Sequence, residues 1–259
     1  MNKRTLIKNG WLPLQHGAWS MTFTPLLLGI ILGGPSWLQL LLVFAWTAAF
    51  LFFNVFGLLI KARRKERYWK ATITYGVLAG VGALALVLIR PHLLVWALPL
   101  AVFFSWAIIE ILRRNERSLG ARVSAILASS LMVPVAFSLG SHPLDWRHAW
   151  VATAVVALYF VGTVPYVKTL IRERGKRSWL VGSLAYHVVM LAIFIGGAAA
   201  HLLTWFVPVV GLILLARAWA YPLVSLRRGR PLHQMFVGLT EFGYSALVLI
   251  SLIVGYPAV

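Results

Sequence analysis

Two charged residues, Arg217 and Glu241, stand inside stretches that are otherwise apolar enough to cross a bilayer. Charge in hydrocarbon is costly, so each should face a cavity or a partner. Arg217 lies about seven residues before its apolar run reaches a basic end, and Glu241 about seven residues into the next run. At 1.5 Å per residue both would sit roughly 10 Å deep, on neighbouring antiparallel helices. They are expected to form an ion pair or to line one cavity. A packing pair that fixes two helices is the plain alternative, because the desolvation of a buried pair can cancel its attraction.

Other polar groups fall at a similar depth from the same face. Asn54 precedes the basic run 61–70, Glu110 precedes Arg113, Lys168 precedes Arg172, and Tyr186 and His187 lie about two turns into a span. His16 opens the first apolar run and His233 the last. Taken singly, each has an ordinary explanation: Asn54 could bond a neighbouring carbonyl, Lys168 could snorkel to the interface, and His187 could bond a neighbouring helix. Taken together, they describe a polar, largely cationic recess with apolar walls. Lys61, Arg63, Arg64, Arg113, Lys168, Arg172 and Arg217 suit a phosphate or carboxylate head through charge-assisted bonds, with Asn54 as a further donor. His16, Tyr186 and His233 would line the recess. The expected ligand is an anionic lipid or isoprenoid amphiphile held by a few convergent polar groups. Glu110, Glu241 and His187 are the candidate proton acceptors.

Several chemistries are disfavoured. There are six acids against 24 Lys and Arg. Magnesium wants several carboxylate oxygens, no two of these acids have the spacing of an Asp-rich motif, and Glu66, Glu116 and Glu173 sit among arginines. Haem would need axial histidines. His16, His187 and His233 fall toward one side and His142, His148 and His201 toward the other, without diagnostic spacing. No metal and no cofactor is expected. The absence of cysteine excludes disulfides and thiolate nucleophiles. No Gly-rich nucleotide loop and no serine-nucleophile motif occurs.

The elements that must position these groups are transmembrane helices. The chain of 259 residues is 61% hydrophobic and 12% charged, with a mean hydropathy of +0.85; soluble domains run near 45–50% and about 25%. Nine spans can be laid out, near 16–33, 37–60, 71–89, 93–112, 122–140, 149–170, 179–198, 202–222 and 235–255. Pro25, Pro134 and Pro208 offer breaks. Of the 24 basic residues, 21 fall at alternate junctions: six in 61–70, four in 113–122, five in 168–177, three in 227–230 and three near the start. Only Arg90 and Arg147 lie at the other junctions. The positive-inside rule then sets a cytoplasmic N-terminus and an external C-terminus, and reads the net charge of +18 as orientation beside anionic lipid, with no nucleic acid partner.

The expectation is an all-α polytopic bundle in a bacterial plasma membrane, one domain over 1–259 without an extramembrane part. The basic first segment reads as retained, since no small-residue cleavage site follows it. RRKERYW, RRNERS, RERGKRSW and LRRGRP recur at the basic junctions, which fits either repeated hairpins or shared positive-inside composition. Trp11, Trp19, Trp37, Trp69, Trp150 and Trp179 read as interfacial belt residues, and Gly76, Gly80 and Gly82 as points of close helix packing.

The segments PLQHGAWSM at 13–21, KARRKERYWK at 61–70 and VPYVKTLIRER at 164–174 resemble the YwiC-like family of bacterial membrane proteins. A more distant resemblance, in span count and motif placement, is to the UbiA superfamily of intramembrane prenyltransferases. It implies nine helices around a cytoplasm-facing cavity. The first UbiA signature, NDxxDxxxD, matches at Asn54 but meets Val55, Leu58 and Ala62 where the metal-binding aspartates would stand. The later YxxxK-type segment is similar only loosely to Pro165-Tyr166-Val167-Lys168, which implies Tyr166 in the cavity and Lys168 at an anionic head. The acidic element after it is replaced by Arg172, Glu173 and Arg174. Three readings stay open: an amphiphile-binding protein or metal-independent transferase, a transporter or flippase of an anionic lipid or metabolite, and a substrate-free scaffold or assembly factor.

Overall fold

The computed structural model describes residues 3–13, 16–113, 118–142, 145–229 and 232–254, and among them all regular structure is helical. In chain order the helices are α1 (Lys3–Lys8), α2 (His16–Gly33), α3 (Trp37–Lys61), α4 (Glu66–Ile89), a 3₁₀ segment (Pro91–Trp96) leading into α5 (Ala97–Leu112), α6 (Leu119–Ser130), α7 (Met132–Phe137), α8 (Trp146–Leu170), α9 (Arg177–Ala199), α10 (Phe206–Arg227) and α11 (Gln234–Ile253). Eight segments are long and apolar enough to cross a membrane, and α2 adds a shorter apolar stretch, Gly17–Gly33. The protein is an all-α, multi-pass membrane bundle.

Each expected span has its helix, but two helices run past the apolar core. α4 begins at Glu66 rather than near 71 and α10 continues to Arg227 rather than 222. An acid in the first turn of α4 and a base in the last turn of α10 suit the helix dipole at those ends. The prolines act unequally. Pro134 has no N–H to donate to the Ser130 carbonyl, and the span divides there, α6 ending at Ser130 and α7 starting at Met132. Pro208 falls in the first turn of α10, where an amide has no intrahelical acceptor to lose, so it makes no break. Pro25, Pro165 and Pro222 are carried inside continuous helices.

The divided span is held by α2 and α3. A Cβ on Gly29 would run into the Val133 carbonyl oxygen, so α2 and α7 pack backbone to backbone there. From α3, the buried Gln39 donates through Nε2 to the Ala136 carbonyl at 3.0 Å. Ser36 Oγ donates to the Leu139 carbonyl at 2.5 Å, and Trp46 Nε1 reaches the Thr22 carbonyl of α2 at 3.1 Å. Gly82 lets α4 close on Ala45 of α3.

Two apolar cores result. One gathers α8, α9, α10 and α11 around Tyr159, Phe160, Phe194 and Leu214. The other gathers α3, α4 and the 3₁₀ segment around Leu42, Trp46, Leu86 and Trp96. α2 and α7 serve both: Leu28 and Phe137 face the first, Leu26 and Met132 the second. Large apolar side chains on α4, α5, α9 and α10 point outward, among them Leu84, Leu98, Val188 and Leu212, and the hydrocarbon of a bilayer covers such a surface.

The basic junctions lie at one end of this bundle. Asn9, just after α1, accepts from Arg67 Nε at 3.2 Å, and Tyr75 donates to the Trp11 carbonyl at 2.9 Å. Arg174 donates from Nε to Ser225 Oγ at 3.0 Å and from Nη2 to the Ser225 carbonyl at 2.7 Å, tying the α8–α9 link to the end of α10. At the opposite end Trp96 packs on Trp146 and Trp150.

Candidate functional site

Arg217 and Glu241 form an ion pair between Nη1 and Oε1, with 3% and 8% of the two residues exposed. Because α10 runs on to Arg227, Arg217 lies ten residues from its end, about 15 Å along the axis. Glu241 lies seven residues into α11, about 10 Å along its axis, so the pair stands two to three turns in from the basic end of the bundle.

Aromatic rings enclose it. The guanidinium carbon is 4.4 Å from the centroid of Tyr166, 4.5 Å from Tyr244 and 5.7 Å from Tyr159. Stacking on ring faces is a favourable setting for a desolvated guanidinium. Tyr159 Oη lies 3.3 Å from Glu241 Oε2 and 3.1 Å from Ser245 Oγ. Ser20 Oγ, from α2, donates to Ser245 Oγ at 2.6 Å. The Tyr221 and Tyr244 hydroxyls meet at 3.2 Å. His187, also buried, engages the Ser183 carbonyl one turn back on α9 at 2.7 Å through Nδ1, and its ring is 6.5 Å from that of Tyr166. Four polar atoms in this cluster are buried without a hydrogen-bond partner among the described residues: Arg217 Nε and Nη2, Tyr166 Oη and Ser183 Oγ.

The remaining residues singled out from sequence fall in three other places. On the α3 side, Arg63, Arg64, Glu66 and Arg67 line a shallow hollow of about 600 Å³ with Ala62 and Tyr68. Lys61 is exposed at the end of α3, and about two turns further in Asn54 holds a buried Nδ2 that has no hydrogen-bond partner among the described residues. On the α5 side, Arg113 is exposed as the C-cap of α5, and Glu110 accepts from Ser118 Oγ at 2.7 Å across the α5–α6 link. On the α8 side, Lys168 Nζ sits 4.6 Å over the Trp179 ring, with Arg122 and Arg172 as cationic neighbours and Glu173 as the acidic one. Glu173 in turn pairs with Lys176 at 2.8 Å.

Two residues expected to line a recess do other work. His233 is exposed as the N-cap of α11, accepting from the Met235 amide at 3.3 Å. Tyr186 donates to the Leu158 carbonyl at 2.9 Å, a bond between α9 and α8. The side chain of His16 lies outside the described residues, as do Gln15, Arg114, Glu116, Arg117 and Arg230. Of the two candidate carboxylates, Glu110 is engaged by Ser118 and Glu241 by Arg217.

Sequence reasoning named Arg217, Glu241, His187 and Tyr166 but passed over Tyr159, Tyr221 and Tyr244 and gave Arg174 no role. A signal was present. Tyr159 and Tyr166 are seven apart on α8, Tyr221 is four from Arg217, and Tyr244 and Ser245 are three and four from Glu241. Those are the spacings that place residues on one helical face.

The fold and this interior define a polytopic α-helical membrane protein with a desolvated ion pair caged by tyrosines. The chain belongs to the YwiC-like family. The family described as YwiC-like protein matches residues 12–137, a region containing the whole of the first motif and the whole of 61–70. An uncharacterized protein YwiC of Bacillus subtilis (strain 168) is 32% identical over 180 residues, covering 69% of this chain and 74% of that protein. An uncharacterized protein of Haemophilus influenzae is 28% identical over 240 residues, covering 93% of this chain and 96% of its own length. No solved structure matches the chain.

Proposed function

We propose that this protein binds an anionic amphiphile at the basic end of the bundle, which faces the cytoplasm of a bacterial plasma membrane, with the N-terminus cytoplasmic and the C-terminus external. The positive-inside distribution of Lys and Arg supports that orientation. The observation that carries the binding reading is the setting of Lys168. It stands against Trp179 with Arg122 and Arg172 beside it, while its acidic neighbour Glu173 is already engaged by Lys176. Like charges gathered at helix ends repel, and a phosphate or carboxylate head relieves the repulsion through charge-assisted bonds. The apolar faces above it suit a lipid or isoprenoid tail. A UbiA-like scaffold that keeps the headgroup lysine and lacks the metal-binding aspartates is the architecture this reading implies.

Arg217, first assigned to the same head, takes no part in it: Glu241 balances its charge. Arg63 and Arg64, in their open hollow on the α3 side, would meet bulk headgroups instead.

Native mass spectrometry of protein extracted in mild detergent tests the proposal. A retained anionic amphiphile is expected on the wild-type chain, with occupancy sharply reduced in Lys168→Glu and in Arg172→Glu and nearly unchanged in Arg63→Glu. Equal retention in all four proteins would overturn the Lys168 site, and loss only in Arg63→Glu would move it to the α3 side.

A further inference from the structure

The buried Arg217 cluster has donors that the Lys168 site does not use. Arg217 spends Nη1 on Glu241, and Nε and Nη2 have no partner among the described residues although the residue is only 3% exposed. Tyr166 Oη and Ser183 Oγ share that condition, and both residues are 0% exposed. Buried donors are nearly always satisfied by something, and an unpaired N–H on a charged group is among the most expensive to leave. Three helices supply these atoms: α8 carries Tyr166, α9 carries Ser183 and α10 carries Arg217.

Charge balance selects the ligand. Guanidinium and carboxylate already sum to zero, at a depth where a further net charge would be heavily penalised. A group that only accepts hydrogen bonds and carries no charge fits the free N–H pair. The flanking rings of Tyr166, Tyr244 and Tyr159 offer π-faces to a flat, apolar body beside that acceptor. We infer that the unpartnered edge of Arg217, with the Tyr166 hydroxyl, is a second binding site, for the carbonyl oxygen of a neutral, membrane-soluble molecule. This site is independent of the anionic headgroup site at Lys168.

Calorimetric titration of the purified protein in detergent tests this with three probes of equal chain length: decyl-1,4-benzoquinone, decylbenzene and decyl phosphate. The chain has no cysteine, so no thiol can add to the quinone. The quinone is expected to bind and decylbenzene to bind far more weakly. Arg217→Lys keeps the charge facing Glu241 and removes the planar fork; it should weaken the quinone about tenfold, the scale of one lost charge-assisted bond. Tyr166→Phe removes a hydroxyl that has no partner and keeps the ring on Arg217; it should weaken the quinone several-fold. Decyl phosphate should be indifferent to Tyr166→Phe and lost in Lys168→Glu. Should Arg217→Lys fail to fold, Tyr166→Phe and Ser183→Ala carry the test, and quinone affinity unchanged in both overturns the site. Decylbenzene binding as well as the quinone removes the carbonyl requirement, and decyl phosphate lost through Tyr166→Phe replaces the neutral ligand with an anionic one. Failure of decyl phosphate to bind anywhere sinks the Lys168 proposal and leaves this one standing.

Discussion

Replacing Glu241 with Gln should cost about 3 kcal/mol of stability. The substitution keeps side-chain length and one oxygen for Arg217, and removes the charge. Arg217 is 3% exposed, and its other neighbours are the faces of Tyr166, Tyr244 and Tyr159, so no solvent can replace the lost carboxylate. Two unit charges about 4 Å apart interact by about 4 kcal/mol at an effective dielectric of 20. Breaking one side of a buried pair costs about 3–5 kcal/mol in measured cases. The amide oxygen returns about 1 kcal/mol as an ordinary hydrogen bond, which sets the lower part of that range. Removing both charges behaves differently, because a pair of apolar residues avoids the desolvation altogether. Arg217→Met combined with Glu241→Leu should therefore lie within about 1 kcal/mol of the wild type. Reversible unfolding in mixed micelles, followed by tryptophan fluorescence, gives both numbers. Glu241→Gln within about 1 kcal/mol of the wild type, or a double variant no more stable than the single one, would refute the reasoning that Arg217 is a desolvated cation dependent on this one carboxylate.

Gly29→Ala forces a Cβ against the Val133 carbonyl and should destabilise the bundle by about 1–3 kcal/mol as overpacking, read by the same unfolding assay. Gln39→Leu removes the donor to the Ala136 carbonyl; leaving that acceptor buried should cost about 1–3 kcal/mol, and amide exchange should rise in α7. At the head of α8, the side-chain hydrogen bond with His148 holds the Asp145 carboxyl below the usual carboxylate range. A lowered folded-state pKa means its contribution is present above the ordinary value near about 3.9 and is lost as pH falls through the folded value. Asp145→Asn should flatten that acid limb, measured as stability against pH.

How much of this was legible follows from which physical effect sets each feature. That the chain forms a multi-pass helical bundle follows from hydrocarbon thickness and the length of its apolar runs, which is readable along the chain. Helix ends followed less well, since Glu66–Lys70 and the turn through Arg227 are polar helix lying outside the apolar run. The Arg217–Glu241 pairing was foreseeable because a charge in hydrocarbon needs a partner. The tyrosine cage needed the rotation of four helices about their axes, which periodicity suggests and only packing fixes. The expected single recess joined Asn54, Arg63, Glu110, Lys168 and Arg217 by depth alone. Depth from one face does not say which helices are neighbours, and the structure distributes those residues over the α3, α5 and α8 sides and the bundle middle.

That distribution separates two chemistries that a shared depth had merged. At the basic end the acid nearest Lys168 is already paired, and the anionic site proposed there should weaken as salt rises. Around Arg217 the charges cancel, and what remains is a set of oriented N–H and O–H donors among aromatic faces. Such a set is insensitive to salt and selects by the position of an acceptor atom. Arg174 links the two levels structurally, since its bonds to Ser225 hold the end of α10, two turns beyond Arg217 on the same helix. The two sites are independent, so titrating the quinone probe with and without decyl phosphate should give the same affinity.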